Sequence, residues 1–513
     1  MSSSIVKFEN VSFSYYRVKK PALDRIDLSV TEGEFLAVMG ENGAGKTTLL
    51  RLINGIIPHS TPGRLSGTVT VDGTLTCDST VPQLALKVGM VLDDPDAQIF
   101  TSSVLNEAAF GAENLLLPPH EVRERANWAL SAVGLEGFEN RRPSTLSGGE
   151  KQRLAIAAAL AMKGKILVLD EPLCRLDPQG EKEVMSVLQD LQRKYGITVI
   201  MAAHESNRIA AFADKVCVLK NGRVAAIDIP ANIFADNSLL EENGIQPPFD
   251  ADIFSLFSVR ESRSNENEKT IPAVSIKDLC YSYGQNLAIE NINLSISDNE
   301  FLAIIGKNGC GKTTLLKNIT GLLRPLSGDI FIRGKNTKEI SISDISKEAG
   351  FVMQNPDSQL FTDSVYSEVS FALKNVKLTK EEISRRVDDA LDTVGLRDAD
   401  AFPPAMPRAD RTKTVIACVL AMGCRIIIFD EVDTGQDYRG SRHIMDVARD
   451  LHEKGFTIIY VTHNMSLAAQ YAHRLVVMEK NGFTFDGRRP IDDELSIRDG
   501  LSICDGQGLK NEQ

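Results

Sequence analysis

Two copies of one loop constrain this chain more than any other feature. They read Gly40-Glu41-Asn42-Gly43-Ala44-Gly45-Lys46-Thr47-Thr48 and Gly306-Lys307-Asn308-Gly309-Cys310-Gly311-Lys312-Thr313-Thr314. Each follows a short apolar run, Phe35-Leu36-Ala37-Val38-Met39 or Phe301-Leu302-Ala303-Ile304-Ile305, the pattern of a strand buried on both faces of a parallel sheet. The spacing G-x-x-x-x-G-K-[ST] makes a turn between strand and helix whose backbone N–H groups surround phosphate oxygens. Glycine is required because a Cβ would block close approach and the backbone angles of the turn. Lys46 or Lys312 then reaches the β- and γ-phosphates, and Thr47 or Thr313 offers a hydroxyl to Mg²⁺.

The repetition extends well past the loops. Val11-Ser12-Phe13-Ser14-Tyr15 answers to Leu279-Cys280-Tyr281-Ser282-Tyr283, and Pro95-Asp96-Ala97-Gln98-Ile99-Phe100 to Pro356-Asp357-Ser358-Gln359-Leu360-Phe361. The offset stays near about 260 residues, a period that marks duplication of a whole domain. Alternating strand and helix patterns predict an α/β fold of two P-loop domains in tandem. The expected boundaries are residues 1–228 for the first domain and 271–487 for the second. A helical appendage is expected over 229–257, a polar linker over 258–270 and a polar tail over 488–513. The apolar stretch from Ile416 to Phe429, broken by Gly423 and Arg425, predicts a buried helix running into a buried strand.

Two further motifs carry chemistry. The apolar runs Leu167-Val168-Leu169 and Ile427-Ile428-Phe429 end in Asp170-Glu171 and Asp430-Glu431. In each pair the first carboxylate can hold Mg²⁺ through water, and the second can polarise the water that attacks a γ-phosphate. Leu146-Ser147-Gly148-Gly149-Glu150 is a helix start whose hydroxyl and bare N–H groups form an anion site directed away from its own glycine loop. The matching place in the second half reads Met406-Pro407-Arg408-Ala409-Asp410.

The 513 residues carry a net charge of -12, which argues against a protein that wraps nucleic acid by neutralising phosphates. No apolar run approaches the roughly 18 residues of a membrane span, and the start lacks the regions of a signal peptide. Eight cysteines without paired spacing fit neither a disulfide framework nor a zinc site. The chain is therefore expected to be soluble and intracellular, with membrane contact only through a partner.

Taken together, these motifs resemble a tandem pair of ATP-binding cassette (ABC) ATPase domains, over the whole chain. The resemblance implies, in each domain, a mainly parallel sheet with helices, an antiparallel β subdomain and a helical subdomain. It also implies ATP and Mg²⁺ as cofactors. In that family two cassettes pair head to tail, and each ATP lies between the loop of one and the Ser-Gly-Gly motif of the other. Carried onto this sequence, the ATP-binding residues are Tyr15, Gly40, Asn42, Gly43, Gly45, Lys46, Thr47 and Thr48 in the first half. Tyr283, Gly306, Asn308, Gly309, Gly311, Lys312, Thr313 and Thr314 match them in the second, and Ser147, Gly148 and Gly149 complete the set. The metal is assigned to Thr47, Asp170, Thr313, Gln354 and Asp430, and the catalytic roles to Glu431, His463, Gln354, Glu171 and His204.

The Pro-acid-x-Gln segments resemble those of energy-coupling-factor (ECF) importers of vitamins and metals. There the acid and glutamine receive arginines of a transmembrane coupling subunit, which assigns Asp96, Gln98, Asp357 and Gln359 to partner binding. The resemblance also implies a small substrate-binding membrane subunit and a location on the cytoplasmic face of the membrane. A ribose-type sugar importer is the alternative within transport. A soluble cassette protein acting on ribosomes or DNA would need a basic helical linker, a coiled coil or a cysteine-rich domain, none of which is visible.

The halves depart from the family pattern unequally. The second loop, with Gln354, Asp430, Glu431 and His463, would be served by an intact Ser147-Gly148-Gly149. The first, with Asp93 in place of glutamine, would face Pro407-Arg408-Ala409. Proline lacks the hydroxyl, and arginine adds bulk where backbone must approach phosphate, although Arg408 can instead supply charge to a γ-phosphate. One hydrolytic site and one mainly nucleotide-holding site are expected.

Overall fold

The apolar runs before the glycine loops become the central strands of two mixed sheets. The computed structural model describes residues 4–204, 206–249, 252–259, 271–376 and 378–489. Of the expected linker (258–270) residues 260–270, and of the expected tail (488–513) residues 490–513, lie outside the described residues. Two compact units divide the chain near residue 250.

In the first unit a six-stranded sheet runs Arg223–Asp228, Lys215–Lys220, Phe35–Met39, Thr198–Ala202, Ile166–Asp170, Val88–Val91. Its pairings are parallel except at the Arg223–Asp228 edge. Side chains alternate across a strand, so both faces must be apolar if both are covered. Phe35, Ala37, Met39, Leu167 and Leu169 enter one core cluster with the helical subdomain. Leu36, Val38, Ile166 and Val168 enter a second with the antiparallel sheet of Leu23–Thr31, Ser4–Tyr15, Gly63–Val71 and Thr74–Leu75. Each of these side chains larger than alanine, fully buried, contributes about 1.5–3 kcal/mol. The helical subdomain comprises Val104–Glu113, Pro119–Ala132 and Gly148–Leu160.

The second unit repeats this plan. Its seven-stranded sheet runs Ser258–Val259, Gly482–Arg488, Arg474–Glu479, Phe301–Ile305, Thr457–Val461, Ile426–Asp430, Ala349–Val352. An antiparallel sheet of four strands lies on one face, centred on Val274–Tyr283, and the helices Val365–Phe371, Lys380–Val394 and Arg408–Met422 form the helical subdomain. The run from Ile416 is a helix ending at Met422, stopped by Gly423 at φ 89° and followed by the strand Ile426–Asp430. Only glycine adopts that left-handed angle without strain.

The appendage expected over 229–257 divides. Helices Pro230–Ala235 and Asn237–Glu242 bury Ile233 and Leu240 in the first unit. Ile253–Leu256 and Ser258–Val259 join the second, where the latter pairs with Gly487 and Arg488 and Phe254 packs edge-on against Phe485 at 5.2 Å. An unpaired sheet edge and an aromatic partner draw this segment across the expected boundary. Among the described residues no helix is long and apolar enough to cross a membrane.

Candidate active sites

The loop glycines are required for different reasons. A Cβ on Gly40 would sit 2.2 Å from the Leu219 carbonyl, and one on Gly45 would sit 2.7 Å from that of Ala22, so neighbouring backbone excludes it. Gly43 and Gly309 face open space but hold φ at 79° and 76°, which side-chain-bearing residues rarely adopt. Helices Lys46–Ile53 and Lys312–Ile319 begin directly behind the loops, so their first N–H groups converge with the loop amides on a concave cradle. Asn42 and Asn308 lie exposed on its open side.

Both lysines are buried and curl back over the cradle. Lys46 Nζ donates to the Gly40 carbonyl at 2.9 Å, and Lys312 Nζ to that of Gly306 at 2.8 Å. Thr47 Oγ1 donates to Asp170 Oδ1 at 3.1 Å, and Thr313 Oγ1 to Asp430 Oδ1 at 3.2 Å. Thr48 and Thr314 instead meet the phenol oxygens of Tyr15 and Tyr283, at 2.9 and 3.5 Å, anchoring the two tyrosines beside the loops. A central ammonium, an amide-lined cradle and a hydroxyl–carboxylate pair fit a triphosphate with a divalent cation. Thr47 with Asp170 and Thr313 with Asp430 would hold that cation, which would neutralise charge on the transferred phosphoryl group.

Glu171 and Glu431 follow their strands in the left-handed region, at φ 49° and 50°. Their N–H groups remain bonded to the Ala202 and Val461 carbonyls, at 3.0 and 2.9 Å. A non-glycine residue held there costs about 1–3 kcal/mol, a strain concentrated at functional positions. Each carboxylate reaches the histidine and lysine of its site. Glu171 stands 2.9 Å from His204 Nε2 and 3.4 Å from Lys46 Nζ; Glu431 stands 3.1 Å from His463 Nε2 and 3.6 Å from Lys312 Nζ. Burial alone would raise the pKa of both glutamates. The hydrogen bond and charge of the histidine, with the lysine, outweigh it and lower both, Glu171 to about 2. The neighbouring aspartates move oppositely: burial raises Asp170, and it raises Asp430 to about 6 against the Thr313 hydrogen bond.

The two sites differ where the sequences differ. Gln354 Nε2 donates to Glu431 Oε2 at 3.1 Å. Asp93 occupies the corresponding place in the first half and adds a like charge that helps to hold Asp170 up, after burial. Ser147 caps its helix, accepting from Glu150 N at 3.3 Å. Pro407 stands at the start of the matching helix with no side-chain cap, so the fold survives while the hydroxyl is lost. Arg408 does not project freely toward a phosphate: its Nη2 donates to the Gln354 carbonyl of its own unit at 3.0 Å.

Both glutamines assigned to partner binding make contacts within their own cassette. Gln98 Oε1 accepts from Leu92 N and its Nε2 donates to the Met90 carbonyl, both at 3.1 Å. Gln359 makes the same clamp on Met353 N and the Phe351 carbonyl, at 2.8 and 2.9 Å. Both ends of each amide therefore hold the end of a strand. Asp96 and Asp357 are exposed, paired with Lys151 at 2.6 Å and Arg411 at 2.5 Å.

Beside them, only the structure shows how the aromatic side chains of these segments pair. Phe100 and Phe110 pack edge-on at 4.7 Å, as Phe361 and Phe371 do at 4.8 Å, with Phe100 and Phe361 each 67% exposed. The buried Glu107 accepts from Phe100 N and Thr101 N, and Glu368 from Phe361 N and Thr362 N, so an internal carboxylate braces each aromatic turn. The signal was present as a glutamate repeated at the same distance after each phenylalanine. Thr462 Oγ1 donates to Asp433 at 2.8 Å behind Glu431, where the first half has Ala203 and Leu173.

The family model described as ABC transporter matches residues 23–174 and 289–434. A relative from Caldanaerobacter subterraneus subsp. tengcongensis, described as an ABC transporter ATP-binding protein, is 35% identical over 95% of this chain and 92% of its own length. One from Methanosarcina mazei with the same description is 37% identical over 95% of this chain and 89% of its own length. A solved structure described as cbiO1 from Clostridium perfringens, part of the ABC transporter complex cbiONQ, is 36% identical. It covers 47% of this chain and 94% of that chain, with a TM-score of 0.43.

Proposed function

This chain belongs to the ABC transporter family as a tandem ATP-binding protein and ATP hydrolase, and we propose that it drives an importer of the ECF type. In this reading it lies on the cytoplasmic face of the membrane and uses Mg²⁺ with ATP. It couples hydrolysis to uptake of a vitamin, metal ion or similar small solute through a transmembrane coupling subunit and a small substrate-binding subunit. The observation that carries the proposal is the repeated, braced surface at Phe100–Phe110 with Asp96 and at Phe361–Phe371 with Asp357. Large aromatic side chains exposed beside a carboxylate suit an amphipathic helix carrying both apolar and basic residues. Each cassette offers the surface once.

Within the pair, hydrolysis is assigned to the second loop. Glu431 serves as general base, held by His463 and Gln354, while Lys312 and the loop amides stabilise the γ-phosphate. The family's head-to-tail pairing would give this loop the intact Ser147-Gly148-Gly149. The first loop would hold ATP mainly to keep the cassettes together.

Purification of the tagged chain from its native membranes in mild detergent tests the transport reading. It is expected to carry a small integral membrane protein and a second membrane subunit with it. Phe100→Ser with Phe361→Ser is expected to lose both while ATPase activity of the isolated chain stays within about twofold. Recovery with ribosomes or DNA, and without membrane protein, would overturn the reading.

A further inference from the structure

We propose that Arg408 is a positioning residue for Glu431, so that the altered helix start of the second half has a use in its own cassette. The inference rests on the reading that Glu431 carries hydrolysis. Arg408 opens the helix Arg408–Met422 at the place where the first cassette has Gly148. Its Nη2 donates to the Gln354 carbonyl at 3.0 Å, and the Gln354 side chain in turn donates to Glu431 Oε2 at 3.1 Å. A guanidinium on a carbonyl is a charge-assisted bond with a fixed direction. It fixes the main chain from which Gln354 reaches the catalytic carboxylate.

A second substitution lies beside this one. The guanidinium passes along Gly435, where an added Cβ would lie 3.5 Å from Nη1 and 3.6 Å from Cζ. The first cassette has Arg175 at that position and glycine at the helix start. There Arg175 reaches the matching segment, its Nη1 pairing with Asp94 at 2.6 Å. The exchange is therefore reciprocal: glycine at the helix start with arginine on the loop in one cassette, arginine with glycine in the other. Each cassette keeps one arginine bracing the residues after its edge strand, but only Arg408 grips the residue that bonds the catalytic glutamate. Loss of the phosphate-binding glycine and gain of the brace are one change.

Steady-state hydrolysis of Mg·ATP by the full chain tests this, with Glu431→Gln as the reference. Arg408→Met is expected to lower kcat about 10- to 100-fold, the scale of an ångström of misplacement, while KM moves less than about twofold. Arg408→Lys keeps a donor and is expected to recover part of kcat. Pro407→Ser with Arg408→Gly, which restores the phosphate-binding motif, is also expected to lower turnover. Thermal unfolding of each variant identifies any that fails to fold, and the lysine variant then decides. A fall in kcat for Arg408→Met with recovery in Arg408→Lys supports the proposal. Unchanged kcat in Arg408→Met beside a collapse in Glu431→Gln overturns it, as does a gain in turnover on restoring the motif. If Glu431→Gln itself keeps its activity, the underlying assignment of the hydrolytic site fails instead.

Discussion

Replacing Glu431 by glutamine separates the two sites most directly. Its Oε1 stands 3.1 Å from His463 and 3.6 Å from Lys312, and its Oε2 accepts from Gln354. Glutamine keeps the shape and most of these contacts, but its amide cannot take a proton from water. A positioned general base contributes about 10²–10⁴-fold, or about 2.7–5.4 kcal/mol of barrier at 1.36 kcal/mol per tenfold. The lost carboxylate also removes a negative charge from beside the triphosphate, so nucleotide affinity should hold or tighten. Steady-state phosphate release should therefore fall by about two orders of magnitude or more, while binding of a fluorescent ATP analogue persists. Glu171→Gln keeps the matching histidine and lysine contacts but belongs to the site with Asp93, and it should lower turnover by less than about twofold. Equal losses in the two variants would refute the asymmetry, and so would collapse in Glu171→Gln alone.

Four further outcomes follow from the geometry. Burial raises the metal-free Asp430 to about 6, and a protonated Asp430 cannot serve Mg²⁺, so turnover at limiting Mg²⁺ should rise as pH rises through about 6. With no metal, a raised folded pKa gives stability that is present below the unfolded value and lost as pH rises through about 6. Asp430→Asn should thus gain more stability over the parent at about pH 7.5 than at about pH 4.5, read by denaturant midpoints. Thr313→Ala removes the hydroxyl that donates to Asp430 and should raise the Mg²⁺ concentration for half-maximal turnover at least about tenfold. Arg474, 2% exposed, pairs with Asp486 at 2.6 Å and Glu300 at 3.1 Å and donates to the Ser295 carbonyl; Arg474→Met should cost about 3–5 kcal/mol by chemical denaturation.

What the sequence determined by itself was local. The glycine loops, the strands before them, the carboxylates at strand ends and the helix–Gly423–strand passage are set by periodicity, backbone freedom and helix-terminal chemistry. These act over a few residues, so they are legible without the fold. Doubling made them more so, because each motif could be checked against its copy. What only the tertiary structure decided was where polar side chains point. Gln98 and Gln359 each clamp a strand end, which offers an N–H and a carbonyl at amide spacing. Residues 252–259 cross the expected boundary because the second sheet has an edge to pair and an aromatic to cover. Arg408 reads as a lost phosphate contact until its guanidinium is seen on Gln354, 54 residues away in sequence. A hydrogen bond is won by whichever acceptor folding brings within about 3 Å, and no pattern along the chain records that distance.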